Sequence, residues 1–389
     1  MRAAPRVEAG GPSADHGGPI RPTAVEIDLA ALADNARAIA SLAGTSLCAV
    51  VKADAYGHGA PGVATALEAA GAVRCFAVSL VEEGVQLRDA GVRAPILVMG
   101  PAQRGGASEM RARTLTPVVS DAGDVDELAA AGPMDVHLKV DTGMGRLGVP
   151  VGDATAVATR ASSRGLGIAG VMTHLANADV DDPGEPDCLT WRQLDRFGEV
   201  VTRVRAVAPG ALRHAANSSG TMLFPSARLD LVRVGLALYG NGTWSTDASL
   251  PAPRRQAMRF VTHVAQLRRL AVGESVGYGA LWTASRPTVC AILPAGYADG
   301  IPRRVTGKGA VVIGGRRCPL VGAVSMDIAI ADVTDVPGVA LGDEAVLLGS
   351  GRGAHGTDTI TTAELASWSG LTPYEVTCGI SKRVPRVYL

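Results

Sequence analysis

From Leu47 onward the chain repeats one local pattern: a short apolar run, a stretch long enough for a helix, then another run. Eight such runs lie near residues 47–52, 75–80, 95–99, 117–120, 135–140, 168–173, 212–216 and 229–234. Short apolar runs of this kind suit strands covered on both faces of a parallel sheet. Gly71, Gly91, Gly132 and Gly165 stand where intervening helices would end. Eight βα units in succession predict a (β/α)8 barrel of the TIM type, because an open doubly wound sheet usually contains fewer strands. Ahead of the first run, Val25 and Ile27 alternate as in a short strand. Asp28 stands as the N-cap of an amphipathic helix carrying Leu29, Leu32, Ile39 and Leu42.

The character changes after about residue 250. LPAPRR reads as a linker, and FVTHVAQLRRL, TVCAILP, GAVVIGG, CPLVGAV, IAIADV and EAVLLG follow as short strand-like runs between Gly-, Pro- and Asp-rich turns. The expected organisation is α/β: a flexible tail over 1–20, a barrel over 21–250, and a mainly β domain over 251–389 with a closing helix near Thr362–Ser369. Lys+Arg and Asp+Glu each number 37, so charge points to neither nucleic acid nor an anionic membrane as partner. The six cysteines are scattered without a CxxC pair, which suits reduced thiols in a cytoplasm and no metal site. The opening MRAAPRVEAGGPSADHGGP lacks the apolar core of a secretory signal, and no apolar run is long enough to span a bilayer.

In a barrel, residues from different strands collect at the C-terminal strand ends. Those ends carry Lys52 in LCAVVKADAYGHG, Lys139 and Arg146 in KVDTGMGRLG, and His174 in VMTHLANAD. They continue with Asn217 and Ser218 in HAANSSG, then Arg233 and Gly235 in LVRVGLALYG. A lysine closing a buried strand is poorly solvated, which disfavours its ammonium and frees its amine to attack a carbonyl. The same local pattern also fits a lysine that merely ends a strand with its head in water. Barrels often bind phosphate on the loops after strands seven and eight, where Ser218 and Gly235-Leu236 fall.

VVKADAYGHG resembles the pyridoxal-phosphate (PLP) lysine motif of the alanine racemases. GYGALW with Tyr278, LPAGYADG with Tyr297, GAVSMDI with Met326 and Asp327, and PYEVTCGISKRVPRVYL with Tyr374 extend the similarity from about residue 22 to 389. The resemblance implies a PLP-dependent homodimer that interconverts L- and D-alanine, supplies D-alanine for cell-wall precursors, and shares its active sites between subunits. It implies that Lys52 holds PLP and acts as one acid/base, with Tyr278 of the second subunit as the other. Tyr56, Ser218, Gly235, Leu236 and Tyr374 match the phosphate-binding set. Arg233 matches the partner of the pyridine nitrogen, and His174 matches the link between Tyr278 and Arg233. Arg146 and Met326 match positions that engage the substrate carboxylate. Lys139 matches a lysine carried as a carbamate in some members, and Asp179 and Arg303 match polar entrance positions.

Four positions depart from the family pattern: Gly277 and Trp282 around Tyr278, Ser325, and Ala323 where an Arg often lines the entrance. These bear on entrance electrostatics and side-chain preference. The readings left open are a related PLP racemase with serine or broader preference, a PLP decarboxylase, and a non-catalytic PLP carrier. Such carriers end after the barrel, whereas this chain continues through Tyr278.

Overall fold

The computed structural model describes residues 20–101, 105–241 and 255–389. The expected tail up to residue 19 and all of LPAPRR except Arg255 lie outside the described residues. The chain divides into two compact units. One comprises Glu26–Arg259, Thr359–Ser381 and Arg386–Leu389; the other runs from the start to Val25, then Phe260–Asp358 and Lys382–Pro385. Two segments beyond residue 250, Thr359–Ser381 and Arg386–Leu389, belong with the first unit.

The first unit is a parallel barrel. Its strands are β1 (Ser46–Val50), β2 (Cys75–Val78), β3 (Ile96–Val98), β4 (Thr116–Val119), β5 (Met134–Asp141), β6 (Leu166–Met172), β7 (Leu212–His214) and β8 (Leu231–Val234). The sheet runs β8-β1-β2-β3-β4-β5-β6-β7. Its seam closes where Asp230 N–H donates to the Arg213 carbonyl at 3.1 Å and Arg233 N–H to that of Ala216 at 3.0 Å. Every residue of β2, β3 and β8 is buried, as strands covered on both faces must be. Gly71, Gly91, Gly132 and Gly165 all have positive φ beyond their helices, the backbone that glycine adopts without a Cβ clash.

The first helix, α1 (Leu29–Ala43), begins at Asp28, whose carboxylate accepts the Ala31 N–H at 2.7 Å. Its buried face includes Leu32 and Ile39. On that face Asn35 is buried, and its side-chain amide donates to the carbonyls of Leu238 at 3.0 Å and Arg255 at 2.9 Å. Two helices near the end of the chain, α2 (Thr362–Ser369) and α3 (Pro373–Cys378), also belong to this unit. The second of these is absent from the sequence expectation, because six residues are too few to display a helical period.

The second unit is mostly strands. An antiparallel sheet orders Arg316–Pro319, Ala310–Ile313, Glu344–Gly353 and Met258–His263, and a three-stranded sheet joins Gln266–Leu270, Thr288–Leu293 and Ala329–Asp332. Leu270, Val276, Ala284, Cys290 and Val321 form a core cluster there. Among the described residues no helix is long and apolar enough to cross a membrane.

Asn35→Ala leaves the buried carbonyl of Leu238 and the part-buried one of Arg255 without this donor, which should cost ~1–3 kcal/mol. A urea unfolding midpoint equal to wild type would contradict this role for Asn35.

Candidate active site

Strand β1 closes at Val50, and Lys52 opens the turn that follows, two residues beyond the strand. Ala53, Asp54, Ala55 and Tyr56 have φ between +52° and +55°, a left-handed turn built from residues with a Cβ. Such backbone costs ~1–2 kcal/mol per residue and persists only where the surroundings over-determine it. Here they do. Ala53 N–H donates to the Glu83 carboxylate at 2.6 Å, and the Asp54 carboxylate accepts Ala60 N–H at 2.7 Å. Gly57 N–H reaches the Ala53 carbonyl at 3.0 Å and Gly59 N–H that of Asp54 at 2.9 Å. The buried His58 places Nδ1 2.9 Å from the Ala55 carbonyl and 3.0 Å from that of Tyr56, so Nδ1 carries the hydrogen. Burial pulls the His58 pKa down to about 4, which keeps this donor neutral.

The barrel interior holds an arginine. Arg233 is buried in β8, and burial draws its pKa down to about 10. Nη1 donates to Nδ1 of His214 and to the His214 carbonyl, each at 2.9 Å. Nη2 donates to the carbonyls of Thr173 at 2.6 Å and Ala215 at 3.0 Å, and faces Nδ1 of His174 at 3.3 Å. Nε is buried and has no partner. An arginine can only donate, so Nδ1 of both His214 and His174 must be an acceptor. Each neutral ring then carries its hydrogen on Nε2. That of His214 points along a 2.8 Å bond to Nδ1 of His137. Burial first, then the charge of Arg233, holds His174 well below the ordinary histidine range.

A small cradle lies after β7 and β8. The Ser218 hydroxyl accepts N–H groups from Gly235 and Ala237, both at 3.2 Å. With both lone pairs occupied, its own hydrogen is left to donate. Asn217 fixes the preceding loop by accepting the Gly220 N–H at 2.9 Å and donating to the Leu175 carbonyl at 3.1 Å. Gly235 permits close approach here: a Cβ would lie 2.5 Å from the Tyr56 hydroxyl oxygen. Leu236 follows at the start of a short 3-10 turn. Burial pushes the Tyr56 phenol up to about 12, with smaller contributions from Cys378 and Tyr374. Tyr374 sits in α3 and is partly exposed.

Lys139 is buried in β5, where desolvation and then the charges of Arg146 and Arg233 bring its pKa down to about 8. Desolvation, followed by Arg146, also lowers Lys52, while Glu83 and Cys378 oppose that shift. Lys52, Lys139, Arg146, His174 and Arg233 thus form one electrostatic group at the barrel mouth. Asp179 is exposed on the same unit. Tyr278, Tyr297, Arg303, Met326 and Asp327 belong to the second unit. There Tyr278 is 76% and Met326 53% exposed, and Arg303 is exposed as well. Tyr297 N–H donates to the Ser325 carbonyl at 2.9 Å, and Asp327 pairs with Arg383 at 2.8 Å.

His137, His214 and Glu83 are absent from the sequence expectation. His137 had a signal: it precedes Lys139 by two positions in a strand, so both side chains share one face. Glu83 had none, because its bond to Ala53 joins segments thirty residues apart.

The donor set suits PLP. A buried unpartnered N–H on Arg233 suits an unprotonated pyridine nitrogen, and Ser218 with Tyr56 offers hydroxyl donors for a phosphate. Fold and site together define a barrel protein of the PLP-lysine class. The family described as alanine racemase, N-terminal domain, matches residues 27–242, and that described as alanine racemase, C-terminal domain, matches 257–388. An alanine racemase of Sorangium cellulosum is 45% identical over 384 residues, covering 95% of this chain and 99% of its own. The crystal structure of alanine racemase from D-cycloserine-producing Streptomyces lavendulae has a TM-score of 0.85 at 34% identity, covering 96% of this chain and 98% of its own. That from Bartonella henselae, with covalently bound pyridoxal phosphate, has a TM-score of 0.81 at 28% identity, covering 95% of this chain and 100% of its own. This chain belongs to the alanine racemase family.

Nitrogen-15 NMR at pH 6.5 should show His174 neutral with its hydrogen on Nε2. A protonated ring, or a hydrogen on Nδ1, would contradict the bonding around Arg233.

Proposed function

We propose that this chain interconverts L-alanine and D-alanine using PLP, with Lys52 and Tyr278 as the two proton carriers. The observation that supports this best is the unpartnered Nε of the buried Arg233. A permanently charged guanidinium at that position keeps a pyridine nitrogen unprotonated. When bound, PLP delocalises the electron pair left by breaking the substrate Cα–H bond.

The residues of this chain do the rest. Lys52 Nζ carries the proton on one face of the substrate carbon, and the depressed pKa of its amine suits that task at neutral pH. Tyr278 Oη carries the proton on the other face. His174, neutral with its hydrogen on Nε2, donates to that phenol oxygen and holds it in place. Arg146 and the Met326 backbone hold the substrate carboxylate. Tyr56, Ser218, Gly235, Leu236 and Tyr374 hold the phosphate, with Asn217 fixing the loop beside it. Asp179, Tyr297, Arg303 and Asp327 shape the entrance.

Tyr278 is donated by a second copy of the chain. The exposure of Tyr278, Leu281, Met326 and Ile328 on the second unit supports a homodimer that covers this surface. The enzyme works in the cytoplasm and supplies D-alanine for cell-wall precursors. Lys139 carries a carbamate that orients Arg146: its neutral nitrogen bonds to the carbon of CO2 and releases one proton. The amine is neutral in a growing fraction as pH rises through about 8.

Borohydride treatment should abolish the visible band of the holoenzyme and place the label on Lys52; a label elsewhere would refute the assignment. Mixing Lys52→Ala with Tyr278→Phe chains should restore about a quarter of wild-type activity, one intact site in each mixed dimer, where either variant alone is inactive. No recovery in dimers shown to be mixed would exclude the shared site. In carbon-13 bicarbonate, a carbamate NMR signal should grow as pH rises through about 8 and be missing from Lys139→Ala; a signal that persists in the variant would disprove that site.

A further inference from the structure

The strand Arg386–Tyr388 lies beside the turn that follows Lys52. Arg386 is half-buried, and its guanidinium donates to three backbone carbonyls. Nε reaches Gly57 at 3.0 Å, Nη1 reaches Ser381 at 2.6 Å, and Nη2 reaches Ile380 at 2.8 Å. Gly57 directly follows Tyr56. Ile380 and Ser381 directly follow α3, the helix that carries Tyr374. The two tyrosine-bearing segments are also pressed together: Gly57 has φ +82°, and a Cβ there would lie 2.1 Å from the Thr377 carbonyl oxygen. Beside this contact, the Tyr388 hydroxyl donates to the Gly59 carbonyl at 3.4 Å. A guanidinium is a rigid planar fork, so bonds from its three nitrogens fix both segments relative to each other.

We infer that Arg386 is a positioning residue for the phosphate end of PLP, setting the separation of Tyr56 and Tyr374 through the carbonyls of Gly57, Ile380 and Ser381. The inference rests on the reading that Tyr56 and Tyr374 hold the phosphate. Arg386 acts in this role through backbone, by its bonds to the carbonyls of Gly57, Ile380 and Ser381. Its effect is therefore specific to ligands that carry the phosphate. Pyridoxal, which lacks it, uses only the ring and aldehyde contacts.

The test compares the dissociation constants of PLP and pyridoxal for the full-length apo-protein, in wild type, Arg386→Met and Arg386→Lys. Wild type should prefer PLP strongly. In Arg386→Met the PLP affinity should fall about 10- to 100-fold with pyridoxal affinity unchanged within about twofold, so the preference collapses. Arg386→Lys keeps the charge and some donors, and should fall between the two; it also serves if the methionine variant does not fold. A preference ratio equal to wild type in the folded variants overturns the inference, whether both ligands weaken together or neither does. Wild type without a preference for PLP would instead remove the phosphate reading on which the inference stands.

Discussion

The buried charge of Arg233 organises the barrel interior. Among the described residues no carboxylate pairs with Arg233, and its donors go to carbonyls and neutral imidazoles. A buried cation without a counter-ion is costly, so it must be rigidly satisfied by dipoles. That requirement fixes the tautomers of His174 and His214, ties the ends of β6, β7 and β8 together, and leaves one donor, Nε, for a ligand. The same charge lowers the proton affinity of Lys139 and His174. One residue thus sets both the shape and the field of the site.

The turn after Lys52 is the strained feature of the site. The left-handed turn at 53–56 uses backbone that alanine and tyrosine adopt only when constrained. His58, Glu83 and Asp54 provide that constraint through hydrogen bonds to the backbone on either side of Tyr56. Lys52 and Tyr56 bracket the turn, four positions apart in sequence. Hydrogen bonds within ADAYGHG and from the distant Glu83 offset the strain, and within the motif His58 serves the backbone.

Much of this was legible in the chain. The eight strands were readable because parallel strands covered on both faces leave continuous apolar runs, and the ends of those runs placed Lys52, Lys139, His174 and Arg233 toward one mouth. Asp28 was legible as a cap because capping is local. The left-handed turn was not. Local bonds hold it only together with contacts from Glu83, Thr377 and Arg386, which are far away in sequence. The short helix carrying Tyr374, and its place in the barrel unit, were hidden for the same reason.

By itself, then, the sequence determined the order of the eight barrel strands, the chemical kinds of residue at each strand end, and the family to which they belong, since those follow from local pattern and motif. Tertiary structure alone decided which nitrogen of each histidine carries its proton, which donor of Arg233 remains for a ligand, and why a run of ordinary residues holds left-handed backbone. Those are properties of contacts between distant segments, and a hydrogen-bond partner hundreds of positions away leaves no trace in the residues beside it.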